Sequence, residues 1–223
     1  MKAFRLREYV DRCKDDRFDL MFPPEIRELS RVHWTPVSVA RQAAEFLVRR
    51  PGTKVLDVGC GPGKFCMVGA LMTDGVFTGI EQRRHLCELA MARIRQVGLH
   101  NANILHGNVA HLDFSGFDAF YLFNPFEENL EESLKIDGSV PLSAALFDHY
   151  AEHVARELTK APLGTRVVTY CGECGEVPVG YECVATSRDF SLTFCEKTRQ
   201  IPIRPAQESP LSKSWWRRMV DSA

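Results

Sequence analysis

The chain has 223 residues, 45% hydrophobic and 26% charged, which fits one globular α/β domain with short extensions and reads as neither disordered, collagenous nor membrane-spanning. Its 28 Lys and Arg stand against 29 Asp and Glu, a formal net charge of -1, so the global signature of a strongly basic nucleic-acid binder is missing. No apolar stretch approaches the roughly 18 residues of a membrane helix, and the amino-terminal stretch mixes both signs of charge; a cytoplasmic location is expected. Eight cysteines in a chain that can bury a core without staples read as plain thiols.

Residues 1–32 read as an amino-terminal helical extension. Thr35-Pro36 then reads as a helix cap followed by proline at the first helical position, with Val39, Ala43, Phe46 and Leu47 as an apolar stripe. From about residue 53 short β-rich runs alternate with helical periods, which argues for a parallel sheet with crossover helices. The runs are Lys54 to Val58, Val76 to Glu81, Asn103 to His106, Asp118 to Phe123 and Arg166 to Tyr170. Leu86, Ala90, Ile94 and Val97 mark a helix over Arg84 to Val97, stopped by Gly98; Phe147, Tyr150, Val154 and Leu158 mark another. Tyr181 to Thr186 and Ser191 to Lys197 flank a connection so short that the two runs must pair antiparallel. Residues 199–223 read as a tail.

The first run ends in Val55-Leu56-Asp57-Val58-Gly59-Cys60-Gly61-Pro62-Gly63, then Lys64-Phe65 and a helix, so a glycine-rich turn joins strand to helix. The dinucleotide pattern fails because Lys64 stands where its third glycine belongs. A phosphate loop also fails, because Phe65 replaces the Ser or Thr that reaches magnesium and Val58 stands where the first glycine belongs. Asp-x-Gly-x-Gly-x-Gly remains, and it resembles the first motif of the class I S-adenosylmethionine-dependent methyltransferases. The resemblance spans about residues 33–198 and implies a doubly wound, mostly parallel seven-stranded sheet with a carboxyl-terminal antiparallel hairpin.

It also implies S-adenosylmethionine as cofactor. Asp57 would fix the loop and the methionine end, while Gly59, Cys60, Gly61 and Gly63 would supply backbone contacts. Glu81, 24 residues after Asp57, would take both ribose hydroxyls, with Gln82 beside it. Asn108 and Val109 would meet the adenine, Asn108 replacing the family's frequent acid. Thr35, in a His33-Trp34-Thr35-Pro36 segment similar to one found in many nitrogen methyltransferases, would pack over the cofactor.

Asn124-Pro125-Phe126 follows the fourth run, at a carboxyl end of the sheet where open α/β folds bind ligands. It resembles the Asn/Asp-Pro-Pro-Tyr/Phe motif of nitrogen-directed methyltransferases, with one proline instead of two. By that resemblance Asn124 and the Pro125 carbonyl align a target nitrogen, Phe126 stacks on the substrate, and transfer is a matter of positioning. The acidic stretch Glu127-Glu128-Asn129-Leu130-Glu131-Glu132 would attract a cationic amine and repel phosphate, and Glu127 or Glu128 could assist deprotonation. The expected acceptor is a nitrogen of a small amine or protein side chain. The alternatives are an RNA or DNA methyltransferase, which would need a basic surface beside Asn124, and a noncatalytic cofactor-binding module.

No metal site is expected. His149-Tyr150-Ala151-Glu152-His153 matches an inverted zinc-protease pattern but lies on a helix with a full apolar stripe. Cys171 and Cys174 form one close pair where zinc ribbons present two, with Cys183 and Cys195 further on. Trp215-Trp216-Arg217-Arg218 is expected to fold back on its own domain.

Overall fold

The computed structural model describes residue 10, residues 13–172 and residues 177–202. Its centre is a seven-stranded sheet in the order β3-β2-β1-β4-β5-β7-β6. The strands are β1 Lys54–Val58, β2 Val76–Glu81, β3 Ala102–His106, β4 Ala119–Phe123, β5 Arg166–Tyr170, β6 Tyr181–Thr186 and β7 Leu192–Lys197. The first five pair in parallel, and β7 runs antiparallel to both β5 and β6. This is the expected doubly wound sheet with its terminal hairpin.

Side-chain alternation along each strand sends neighbours to opposite faces and so divides the core in two. Val55, Phe77, Ala119, Tyr121 and Val168 pack into one cluster, under α4 (Val37–Leu47), α5 (Lys64–Met72) and α6 (Arg84–Val97). Leu56, Val58, Phe120, Leu122 and Val167 pack into the other, under α7 (Ala144–Lys160). Every residue of α5 is buried, as a helix apolar on all sides must be. The missing side chain of Gly69 lets it sit on Phe77, whose ring a Cβ would meet at 2.3 Å. α7 is capped by Ser143, whose hydroxyl accepts from the Leu146 N–H, and at its far end by Lys197. The Lys197 ammonium is buried and donates to the carbonyls of Leu158, Thr159 and Ala161 at 3.2, 2.6 and 2.7 Å, satisfying groups that a helix end leaves orphaned.

In the amino-terminal extension α1 (Asp15–Phe18), α2 (Pro24–Glu28) and α3 (Ser30–His33) carry Phe18, Phe22 and Ile26 into the first core cluster. One feature differs from the sequence expectation: Thr35 does not cap α4. The helix begins at Val37, whose N–H is taken by the Asp15 carboxylate at 2.8 Å, while the Thr35 hydroxyl is buried against the Tyr121 hydroxyl at 3.0 Å. A cap supplied from 22 residues away leaves no local signal. Among the described residues no helix is long and apolar enough to cross a membrane. The Trp215-Trp216 tail and Cys174 lie outside the described residues.

Candidate active site

At the carboxyl end of β1 the chain must leave the sheet and start a buried helix within a few residues. Gly59, Gly61 and Gly63 all take left-handed backbone conformations, at φ of 73, 53 and 75°. The N–H groups of Gly59 and Cys60 both donate to the Ile80 carbonyl, at 3.0 and 3.1 Å, which lashes the turn to β2. Gly61 is required twice over, since a Cβ there would lie 2.4 Å from the Trp34 ring as well as in the wrong conformational region. Trp34 is itself fixed by donating its indole N–H to the Ile26 carbonyl at 2.8 Å.

Glu81 ends β2 with its side chain buried beside this turn. One carboxylate oxygen accepts from the Gly61 N–H at 3.1 Å and the other from the Arg83 N–H at 2.8 Å. Burial pushes its pKa up, opposed by those two backbone donors and the Arg83 charge. An ionised carboxylate offers about four acceptor positions, so two remain for further donors.

A cleft of about 290 Å³ opens along the carboxyl edge of the sheet. It brings together Gly59 and Gly61 from the turn, Glu81 and Gln82 from β2, Asn108 and Val109 after β3, and Asn124, Pro125 and Phe126 after β4. The other sequence candidates lie elsewhere. Thr35, Asp57 and Cys60 line a smaller adjoining recess that shares Trp34 and Gly59 with the cleft. Gly63 immediately precedes α5 and lies toward Ala90 and Ile104. Asp57 is deeply buried, with the Cys66 thiol donating to it at 3.5 Å, and burial above all pushes its pKa up to about 7.

The Asn108 side-chain oxygen accepts from the Ala110 N–H at 2.9 Å, capping a short turn, and its amide N–H₂ donates to the Tyr150 hydroxyl at 3.0 Å. One lone pair of that oxygen is therefore already committed. Phe126 packs toward Tyr150, with ring centroids 5.4 Å apart. Asn124 is non-glycine yet sits at φ 37°, a region that asparagine tolerates better than most residues. Its amide N–H₂ donates to Glu127 at 2.7 Å.

The acid after the motif is less free than the sequence implies. Glu128 is gripped by the buried Arg83 guanidinium through two hydrogen bonds of 2.8 and 2.6 Å, and Asp137 accepts from the same side chain at 3.2 Å. Glu131 caps a short turn through Ser133. Arg83 thus fastens the segment from Glu128 to Asp137 along the cleft rim, where Leu134 and Ile136 complete the wall. Arg83, Tyr150 and Tyr170 are cleft residues that the motifs did not mark. Each reads locally as an ordinary charge or core aromatic.

Lys64, which made the turn look like a phosphate loop, is not among the residues that line the cleft and borders the adjoining recess instead. It is buried in ion pairs of 2.7 Å to both Asp15 and Asp19, with Ser30 bridging the group. His153 is engaged by the Leu112 carbonyl and Arg156, and among the described residues no group of three or more His, Cys, Asp or Glu is arranged to hold a metal.

The strand order, the glycine turn and the cleft at the carboxyl edge define the class I methyltransferase fold. Residues 49–158 match the family model of a methyltransferase domain. Over 65 residues the chain is 31% identical to the demethylmenaquinone methyltransferase of Listeria welshimeri, a stretch covering 28% of each chain. Over 73 residues it is 37% identical to the protein-L-isoaspartate O-methyltransferase of Aeromonas hydrophila, covering 33% of this chain and 35% of that enzyme. The matches thus span about a third or less of these curated relatives. The crystal structure of TrmN from Thermus thermophilus superposes with a TM-score of 0.54 at 18% identity, covering 76% of this chain and 51% of that one, a likeness of fold.

Proposed function

We propose that the protein is an S-adenosylmethionine-dependent methyltransferase whose acceptor is a nitrogen of a small amine or a protein side chain. The observation that carries this is the single cleft into which the Gly59–Gly61 turn, Glu81 and Asn124-Pro125-Phe126 all converge from different strands. The residues suit a sulfonium nucleoside better than a nucleotide. The one lysine near the turn is consumed by Asp15 and Asp19, and the Arg83 guanidinium at the cleft by Glu128 and Asp137, so neither is free for a phosphate. The Glu81 carboxylate, steadied by two N–H groups and keeping two acceptor positions, suits a ribose diol.

The cofactor would supply an electrophilic methyl group on sulfur. The protein's share is binding, orientation and exclusion of water. Gly59 and Gly61 keep side chains out of the cofactor's path, and Asn108 and Val109 would border the adenine. Arg83 holds the Glu128–Asp137 rim against the opening. Asn124 and Phe126 would orient the acceptor, so that the gain comes from alignment at the reacting centre. Burial pushes the His33 pKa down, so that imidazole borders the cleft uncharged at neutral pH and does not repel an incoming cation.

Calorimetry with S-adenosylhomocysteine tests the reading. The unaltered protein should bind it, and Glu81→Ala should weaken binding by about 100-fold, the loss of two hydrogen bonds to a charged group. Equal affinity in the variant would remove Glu81 from the site. No binding at all to the unaltered protein would end the methyltransferase reading. A screen of amine metabolites and proteins with methyl-labelled cofactor then identifies the acceptor.

A further inference from the structure

We propose that Glu127 is a positioning residue that fixes the Asn124 amide, so that the end of the cleft at β4 takes acceptors carrying an N–H and disfavours carboxylate acceptors. The inference rests on the methyltransferase reading and goes beyond it in naming the residue that sets the acceptor class.

The primary amide of Asn124 has a donating and an accepting end, and which end faces the cleft decides what it can bind. An ionised carboxylate can only accept hydrogen bonds. The Glu127 carboxylate lies 2.7 Å from the Asn124 amide nitrogen, so the N–H₂ end is committed to Glu127 and the carbonyl oxygen Oδ1 is left at the other end. Among the described residues no donor is bonded to Oδ1. Both residues line the cleft.

The backbone makes the pairing local. Asn124 sits in the left-handed region at φ 37°, and its backbone carbonyl accepts from the Glu127 N–H at 3.3 Å, closing a turn that brings the two side chains together. The next residue, Glu128, is held by Arg83 through two hydrogen bonds, and its carboxylate also lies 3.4 Å from the Ile136 N–H. The neighbouring acid is therefore already engaged, and Glu127 is left to serve Asn124.

An amine brings N–H donors to Oδ1. A carboxylate or thiolate would bring only lone pairs toward Oδ1 and toward the Glu127 charge. Without Glu127 the amide could turn over and present N–H₂ to the cleft, and the selectivity would go with it.

Sinefungin tests this without a known acceptor, because it carries an amine-bearing carbon where S-adenosylmethionine carries its methylsulfonium. Its ammonium therefore stands where the transferable methyl would stand and turns N–H donors toward the acceptor end of the cleft. Dissociation constants for sinefungin and S-adenosylhomocysteine are measured by calorimetry on the unaltered protein, Glu127→Ala and Glu127→Gln. The unaltered protein should prefer sinefungin by about ten-fold, one charge-assisted hydrogen bond. Glu127→Ala should bring that ratio near one while leaving S-adenosylhomocysteine affinity within about two-fold. Glu127→Gln, whose amide oxygen can still accept the Asn124 N–H, should keep the preference to within about three-fold of the unaltered protein.

A ratio unchanged in Glu127→Ala overturns the inference. So does a Gln variant as indifferent as the Ala variant, because the carboxylate would then act through its charge. Equal weakening of both ligands in both variants would make Glu127 a scaffold residue and also overturn it. Failure of the unaltered protein to bind either compound overturns the cofactor reading and this inference together, whereas binding with an unaltered ratio overturns this inference alone.

Discussion

Asp57 sits in the middle of the sheet, paired across to Gly79 on β2 and Tyr121 on β4, with its carboxyl group buried under α5. The Cys66 thiol at 3.5 Å is a weak donor, and the Glu81 charge nearby adds repulsion, so burial dominates and raises the pKa from 3.8 to about 7. A carboxyl whose folded-state pKa exceeds its unfolded value contributes stability that is fully present below pH 3.8 and is lost as pH rises through about 7. The gap corresponds to about 4 kcal/mol, an order-of-magnitude figure and a large share of a domain's stability. Asp57→Asn keeps an acceptor for Cys66 and removes the ionisation. Urea unfolding of both proteins should give similar stabilities near pH 4, with the variant gaining on the unaltered protein up to about pH 8. A difference that stays flat from pH 4 to 8 would refute the assignment of a strained, proton-hungry carboxyl at this position.

Gly61→Ala forces a Cβ into the Trp34 ring and a non-glycine into φ 53°, so it should lower stability by about 2 kcal/mol and shift the melting temperature down by several degrees. Differential scanning calorimetry reads this directly, and an unchanged melting temperature would contradict the close approach of Trp34. Lys197→Met should destabilise by about 2–3 kcal/mol, because the carbonyls of Leu158, Thr159 and Ala161 lose their shared donor at a buried helix end. Equilibrium denaturation is the assay, and hydrogen exchange should quicken at the last turn of α7.

The sheet was legible because its central strands are buried on both faces and therefore spell near-continuous apolar runs, as Val55 to Val58 and Ala119 to Phe123 do. The hairpin of β6 and β7 was legible from the shortness of its connection. The packing of residues 13–33 was not. Phe18, Phe22 and Ile26 stand four apart, a helical spacing, but Pro23-Pro24 interrupts the run, and what buries them is a set of partners far along the chain. Within the site, Gly59, Gly61, Glu81 and Asn124 were marked by motif and do meet at one cleft. Of the same motif, Cys60 lines the adjoining recess and Gly63 lies against Ala90 and Ile104, since a short signature mixes residues at an opening with residues that let helix and strand approach. Arg83 and Glu128 are separated by 45 positions, and each alone looks like a solvated charge. Only the fold shows them joined across the rim.

Asp15 touches the amino ends of two helices at once, giving one oxygen to the Val37 N–H and to the Lys64 ammonium. Trimming the chain to the segment that carries the recognisable signatures would strand a positive charge in the interior and bare the first turn of α4. Asp15 thereby links α1 to the glycine bend, and loosening of the former should be felt in the latter.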